Sequence, residues 1–202
     1  MKELNKKQII TVICLLIVIS GIIGWVYEFF FYYMNSNFTT FYYRGGNFLP
    51  WINIYMYGSF LILFLTRKVK DKPILVFLIS LVTTGILEFF SGYILYGVLG
   101  WTKCWDYNQE ILSFGNIGGY VCLRSVLVFA FAGLLLVYVI VPLLIKLVKS
   151  KYLKTLFIVS IILASIVLLD EVYNLFIYKL LNLPNSETVY TNLFKFKYLY
   201  FK

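Results

Sequence analysis

Long apolar stretches, separated by short polar segments, run through the whole chain. A helix that crosses a bilayer needs about 20 mostly apolar residues. The stretches that meet this length are Ile9–Met34, Phe48–Thr66, Pro73–Gly97, Ile117–Leu144 and Thr155–Tyr178. The pattern therefore predicts an all-α, polytopic transmembrane helical bundle of about five spans. The bundle occupies residues 1–180, and a C-terminal tail occupies residues 181–202.

The second stretch, Phe48–Thr66, is the weakest of these predicted spans. Its first half is interrupted by polar and helix-breaking residues, namely Pro50, Trp51, Asn53 and Gly58. We expect this half to be broken or partly re-entrant. A bilayer tolerates such a segment only where the backbone packs against protein.

Basic residues indicate the orientation, because lysine and arginine are enriched in cytoplasmic loops. Of the 18 basic residues, 11 lie in three segments that a five-span topology places on one side of the membrane. These are Lys2, Lys6 and Lys7; Arg67, Lys68, Lys70 and Lys72; and Lys146, Lys149, Lys151 and Lys154. We interpret this side as cytoplasmic, which puts the N-terminus inside and the C-terminal tail outside.

The end of the tail, from Leu193 to Lys202, is basic and aromatic although this topology places it outside. Aromatic rings at headgroup depth, with amines reaching to water, are typical of an interfacial anchor. A functional tail is one alternative. A missed span, which would bring the tail to the other side, is another.

Composition supports a membrane location. Hydrophobic residues make up 61% of the chain and charged residues 13%, with a mean hydropathy of +0.86; soluble domains carry about 25% charged residues. The net charge of +9 then reflects topology and contact with anionic lipid, not a nucleic-acid partner. The absence of histidine excludes His-based triads and His-ligated zinc. Three scattered cysteines form no disulfide or metal framework.

Charged residues inside the apolar stretches are the main functional candidates. Glu28, Glu88, Arg124 and Asp170 lie on four different predicted spans, and a charge at mid-bilayer costs about 2.5–3.5 kcal/mol. At about 1.5 Å per residue they share the outer half of the membrane, with Arg124 about 10 Å inside its span. One arginine cannot neutralise three acids, so we expect an outward-facing polar pocket for a substrate or cation. A purely structural ion-pair cluster is the alternative.

Two predicted outer loops supply further candidates. The first contains Arg44, and the second contains Asp106 between aromatic residues. Asp106 is either a cap of its own loop or a lid over the pocket. The complete set of predicted ligand-binding residues is Glu28, Arg44, Glu88, Trp105, Asp106, Tyr107, Asn116, Arg124 and Asp170.

Short motifs in these segments carry a likeness to a known family. They are Gly24-Trp25-Val26-Tyr27-Glu28; Arg44-Gly45 with Pro50-Trp51, Ile54-Tyr55 and Gly58; Trp105-Asp106-Tyr107-Asn108; and Asn116, Gly119 and Cys122-Leu123-Arg124-Ser125. In these the chain resembles the ABC-transporter type IV, or CmpB-like, membrane proteins. The resemblance covers roughly Gly21 to Leu135 and includes Asp170, where the family tends to place an acid. The chain departs from the family pattern at Leu49, Asn53, Met56 and Tyr120.

Three functions are compatible with these features. The one we favour, which the resemblance also implies, is a small transport or substrate-binding component of the bacterial plasma membrane that contacts membrane lipids. It would bind a small-molecule or lipid-like ligand, with Arg124 on an anionic group and the carboxylates holding an amine or taking up protons. Because the chain has no Walker A motif, an ATPase or another membrane subunit would be its partner.

The other two functions are an intramembrane enzyme and a non-catalytic membrane partner. The enzyme would act on a lipid or lipid-linked substrate, with Glu28, Glu88 and Asp106 as acid–base candidates. In the partner protein the charged residues would be purely structural. No cofactor and no metal ion is expected for any of the three.

Overall fold

The computed structural model describes residues 4–101, 103–199 and 201. Lys2 of the first basic group, Thr102 of the second loop, and Tyr200 and Lys202 of the tail lie outside the described residues. The elements of the described part are α1 (Lys6–Asn35), β1 (Tyr42–Tyr43), α2 (Asn53–Thr66), α3 (Pro73–Val98), α4 (Leu123–Val148), α5 (Leu153–Leu180), α6 (Ser186–Phe194) and β2 (Lys197–Tyr198). The predicted all-α membrane fold is confirmed. In the described part, four helices are long and apolar enough to cross a membrane: α1, α3, α4 and α5.

The second predicted span is a shorter helix preceded by irregular backbone. α2 has 14 residues, which gives it a length of about 21 Å at 1.5 Å per residue. That is less than the roughly 30 Å of a bilayer's hydrocarbon core. Residues 47–52 before it are not helical. The break expected in the first half of Phe48–Thr66 is therefore confirmed, and the five predicted spans become four long helices and one short one.

The predicted start of the fourth span was wrong. α4 begins at Leu123 and not at Ile117, because residues 117–121 form a tight turn in which the Ile117 amide donates to the Val121 carbonyl at 2.9 Å. Gly118 and Gly119 in this turn have positive φ values of 63° and 80°. Hydropathy alone could not distinguish this apolar turn from the first turns of a helix.

The chain divides into two compact units. The first unit contains Met1–Met56 and Val141–Tyr198, and the second contains Tyr57–Ile140 and Leu199–Lys202. In the first unit, α1 packs mainly against α5; in the second, α3 packs mainly against α4.

Small residues bring α3 and α4 together within the second unit. The buried positions of α3 recur at every fourth residue, which places them on one face: Val76, Ser80, Thr84, Glu88 and Gly92. Opposite this face, Gly133 of α4 lies so close to Ser80 that a Cβ atom at position 133 would overlap the serine hydroxyl. Small residues permit such close approach of helices in lipid. Glu88 consequently lies in a helix–helix contact.

In the first unit, the tail pairs with the loop that follows α1. β1 and β2 are parallel, with Tyr42 opposite Lys197 and Tyr43 opposite Tyr198. The Tyr43 ring also lies 4.6 Å from the ring of Tyr190 in α6. Burial raises the pKa values of the Tyr43 and Tyr198 phenols above their ordinary range. Both rings are therefore neutral at physiological pH.

Candidate functional site

Asp170 of α5 holds the irregular segment that precedes α2. Its carboxylate accepts hydrogen bonds from the backbone amides of Phe48 and Leu49, at 2.9 and 2.8 Å. It also accepts from the indole Nε1 of Trp51 at 3.1 Å and from the amide of Asn174 at 2.7 Å. Asp170 is only 8% exposed. The break in the second predicted span thus has a physical reason, since a carboxylate satisfies amides that no helix satisfies.

Glu28 of α1 and Arg44 of the following loop form an ion pair. The arginine Nε donates to the Glu28 Oε2 at 3.0 Å, and Arg44 is buried. The Tyr55 hydroxyl donates to the other Glu28 oxygen at 3.4 Å. The Arg44 guanidinium also lies 3.9 Å from the centre of the Tyr32 ring, a cation–π contact. Two of the predicted site residues are therefore direct partners.

Asn53 and Glu171 extend this group of polar residues. The Asn53 amide donates to the Glu171 carboxylate at 2.7 Å, and the Asn47 amide donates to the Asn53 carbonyl oxygen at 2.9 Å. Glu171 is buried beside Asp170. We call Glu28, Arg44, Asn53, Asp170 and Glu171 the first-unit cluster.

Glu88 of α3 is the acid of the second unit that lies within a long helix. It is 5% exposed, and hydroxyl groups supply its hydrogen bonds: Tyr107 donates to Oε1 and Ser125 donates to Oε2, the latter at 2.6 Å. Tyr107 belongs to the loop between α3 and α4, and Ser125 belongs to the first turn of α4. One buried carboxylate therefore joins both helices to the loop that connects them.

Arg124 lies at the second residue of α4, so the predicted depth of about 10 Å was wrong. The error follows from the misplaced start of the helix. Its guanidinium Nη2 donates to the Glu110 carboxylate at 2.9 Å in a buried ion pair. It also lies 5.2 Å from the centre of the Tyr107 ring. The acid that pairs with Arg124 is therefore a loop residue and not one of the acids inside the helices.

Asp106 caps its own loop. The carboxylate accepts from the backbone amide of Asn108 at 3.0 Å and pairs with Lys103 at 2.8 Å. Desolvation would raise the pKa of this carboxyl, but the bonds from Lys103, Asn108 and Gln109 outweigh it and hold the pKa below its ordinary value. Gly119 lies against this carboxylate, and its φ of +80° would strain any other residue.

The remaining predicted residues of this loop fix its shape. The Trp105 indole donates to the Tyr120 carbonyl at 3.0 Å. The Asn116 amide donates to the Asn108 side chain at 2.7 Å, and the Asn116 carbonyl oxygen accepts from the Gly119 amide at 2.9 Å. We call the whole group the second-unit cluster: Glu88, Lys103, Trp105, Asp106, Tyr107, Asn108, Glu110, Asn116, Arg124 and Ser125.

The nine predicted site residues thus fall into two groups. Glu28, Arg44 and Asp170 belong to the first-unit cluster, and the other six belong to the second-unit cluster. The predicted set of site residues left out Glu110, Glu171 and Ser125. Glu171 had a usable signal, since it is an acid inside an apolar stretch. Glu110 had none, because an acid in a loop is usually solvated.

A known family of membrane proteins matches the part of the chain that contains both clusters. The family model described as Putative ABC-transporter type IV matches residues 15–175, well over half of the chain. The chain therefore belongs to this family, and the resemblance seen in its motifs is confirmed. No curated protein and no solved structure matches the chain. Together with its long apolar helices, the family assigns the chain to transport-related membrane proteins.

Proposed function

We propose that this chain is a small membrane component of a transport system that binds a cationic, amine-bearing ligand through its buried carboxylates. It lies in the bacterial plasma membrane with its N-terminus in the cytoplasm, and its polar pocket opens outward. Because the chain has no Walker A motif, an ATPase or another membrane subunit supplies the energy for transport.

The observation that carries this proposal is the charge balance of the two clusters. The first-unit cluster contains three carboxylates, Glu28, Asp170 and Glu171, but one arginine. The second-unit cluster likewise has three carboxylates, Glu88, Asp106 and Glu110, against Lys103 and Arg124. Buried charge in a membrane protein is costly and marks ligand or ion paths. An excess of carboxylates favours a cationic ligand.

The two arginines, the buried Arg44 and the partly buried Arg124, support the same choice of ligand. Arg44 is paired with Glu28 and Arg124 with Glu110, at 3.0 and 2.9 Å. An anionic ligand would have to compete with a carboxylate that is already in place. A cationic ligand is instead attracted by the carboxylates, of which each cluster holds three. The aromatic rings of Trp105 and Tyr107 add surfaces that suit an ammonium group.

Uptake by cells that lack the chain tests the proposal. We would measure accumulation of labelled ethanolamine, choline and putrescine, with inorganic phosphate as the anionic probe. Complementation by the wild-type chain is expected to restore uptake of at least one amine. Complementation by Glu28→Gln is expected to leave that uptake about tenfold lower, which corresponds to about 1.4 kcal/mol of binding free energy.

Asp71→Asn is the matched control, because Asp71 is an exposed acid between α2 and α3. Its uptake is expected to equal that of the wild type, with equal amounts of each variant in the membrane. Full uptake by the Glu28→Gln variant would contradict the proposal. So would an unchanged uptake of all three amines in cells without the chain.

A further inference from the structure

Glu88 and Asp170 are both buried carboxylates in long apolar helices, but different donors surround them. Asp170 accepts from four N–H groups, belonging to Phe48, Leu49, Trp51 and Asn174. An N–H group can only donate, so a protonated Asp170 would face these donors with an O–H of its own. The four hydrogen bonds that Asp170 accepts therefore all come from groups that cannot accept in turn.

The partners of Glu88 can form hydrogen bonds with either protonation state of its carboxyl group. They are the hydroxyls of Tyr107 and Ser125, and a hydroxyl can either donate or accept. Beside the ionised carboxylate, both hydroxyls donate. Beside the protonated acid, one of them can turn and accept the acid proton.

Ser125 has a second acceptor ready for this change. Its Oγ lies 2.6 Å from the Glu88 Oε2 and also 2.8 Å from the backbone carbonyl oxygen of Cys122. When Glu88 is ionised, the Ser125 hydroxyl donates to the carboxylate. When Glu88 carries a proton on Oε2, that proton is donated to the Ser125 Oγ, and the serine hydroxyl turns to the Cys122 carbonyl. Every polar group then keeps a partner in both states.

We propose that Glu88 is a reversible proton-binding site, enclosed by the hydroxyls of Tyr107 and Ser125. The step transfers one proton from a hydronium ion of the surrounding water to the Glu88 carboxylate. One O–H bond of the hydronium breaks, one O–H bond forms on Glu88, and a water molecule is left. This inference goes beyond the proposed function, because it gives Glu88 a proton and leaves the amine ligand to the first-unit cluster; it rests on that function only for the use made of the proton.

The charges near Glu88 fit this site. Arg124 of α4 and Glu110 of the loop are two charged groups of the described residues that act on Glu88, and they form an ion pair with each other. Arg124 is thus balanced by Glu110. Within the second-unit cluster, three carboxylates face two basic groups, and one bound proton makes the cluster neutral.

Infrared difference spectra of the purified chain, in a detergent without carbonyl groups such as dodecyl maltoside, test the site. The wild type is expected to show the carbonyl band of a protonated carboxylic acid at acid pH, and this band is expected to disappear as the pH is raised. Other carboxyl groups, Asp106 among them, also take up protons in acid, so the Glu88 band is the component that the wild-type spectrum contains and the Glu88→Gln spectrum lacks at the same pH. Glu88→Gln is expected to fold, because its amide can donate to Ser125 and accept from Tyr107 as the protonated acid does. Asp71→Asn, which removes an exposed carboxyl between α2 and α3, is the control and is expected to keep the Glu88 component.

Tyr107→Phe provides a test that keeps Glu88 in place. Tyr107 donates to Oε1, which is the carbonyl oxygen of the protonated acid. Loss of that hydrogen bond strengthens the C=O bond, so the band is expected to move to higher frequency. Ser125→Thr retains a hydroxyl and is expected to keep the band, whereas Ser125→Ala is expected to shift it.

Two results would overturn the proton site. One is a spectrum in which Glu88→Gln removes no carbonyl band at any pH at which the chain is folded. The other result applies if Glu88→Gln does not fold: a carbonyl band that Tyr107→Phe leaves unshifted would then overturn the proton site. Neither result depends on amine uptake, so a failure of the proton site and a failure of the proposed transport function are distinguishable.

Discussion

The indole Nε1 of Trp51 donates to the Asp170 carboxylate at 3.1 Å, although 119 residues separate the two in the chain. The same carboxylate accepts the backbone amides of Phe48 and Leu49. α5 thus provides the acceptors that the non-helical backbone before α2 needs. Asp170 therefore has at least one definite task in this chain, which is to hold this segment in place.

Replacing Asp170 by Asn is expected to open the segment before α2. The amide nitrogen of Asn174 could still find a partner. The side-chain NH₂ that Asp170→Asn introduces, however, would face backbone amides that now donate hydrogen bonds to the Asp170 carboxylate. Leaving one buried donor unsatisfied costs about 1–3 kcal/mol. Amide hydrogen exchange of residues 47–52 is expected to accelerate, while Asp71→Asn leaves it unchanged. Equal protection in Asp170→Asn and the wild type would show that the carboxylate does not hold the segment.

Gly133→Ala is expected to destabilise the contact between α3 and α4. The added Cβ would overlap the Ser80 hydroxyl, and overpacking of this kind costs about 1–3 kcal/mol. Gly58→Ala is the control, because its Cβ would meet Leu87 at an ordinary 3.7 Å. The midpoint temperature of thermal unfolding in detergent is expected to fall only in the Gly133→Ala variant. Adding Ser80→Gly to Gly133→Ala is expected to restore the midpoint temperature, because the overlapping side chain is removed. A double variant as unstable as Gly133→Ala alone would argue against this packing.

The loop that Asp106 caps is expected to lose order in acid. Because the folded-state pKa of Asp106 lies below its ordinary value of 3.8, the ionised group stabilises the loop fully above that pH. This contribution is lost as the pH falls through the folded-state pKa. Hydrogen exchange of the Asn108 amide, corrected for intrinsic rates, is expected to increase over that range. Asp106→Asn is expected to be less protected at neutral pH and to show no such step; a step of the same size would refute the assignment.

Arg124 and Glu110 are expected to be energetically coupled. Breaking a buried ion pair by removing one charge costs about 3–5 kcal/mol, because the other charge remains buried. Arg124→Gln and Glu110→Gln should therefore each be strongly destabilising. The double variant is expected to be more stable than the sum of the single effects predicts. If the losses of stability measured by thermal unfolding were additive, the two groups would not stabilise each other.

The pairing of β1 with β2 is expected to fix the side of the membrane on which the tail lies. Thr39, in the loop before β1, and Lys195, just before β2, are exposed, as is Lys151 between α4 and α5. The end of α4 lies by the start of α1, because the Gln8 amide donates to the Val148 carbonyl at 3.2 Å. Cysteines at positions 39 and 195 should therefore react with an impermeant reagent from one side, and a cysteine at 151 from the other.

This labelling needs a background without the native cysteines, in which Ser replaces Cys14, Cys104 and Cys122. A serine at position 122 can keep the cap of α4 that the Cys122 Sγ now forms. Labelling of positions 195 and 151 from the same side would contradict the parallel pairing of the tail. Labelling of position 39 from the cytoplasm would instead contradict the proposed orientation.

The spans were predictable because hydropathy and length decide them, and α1, α3 and α5 begin and end within a few residues of the prediction. The start of α4 was not predictable in this way, since Gly118 and Gly119 form an apolar turn. That single error also misplaced Arg124. Charged residues that are costly to place in lipid, such as Glu28, Glu88 and Asp170, could be found from the sequence. Their partners could not, because Arg44, Tyr107 and Trp51 reach them from loops whose conformation hydropathy does not describe.

The central claim is that the buried carboxylates bind a cationic ligand. A structure of the chain in lipid, determined with and without choline, tests it most directly. The account predicts non-protein density beside the Glu28 or Glu171 carboxylate of the first-unit cluster, present only with the amine. Identical first-unit clusters in both samples, with Glu28 bound to Arg44 and Glu171 to Asn53 and no added density at the carboxylates of either unit, would contradict it.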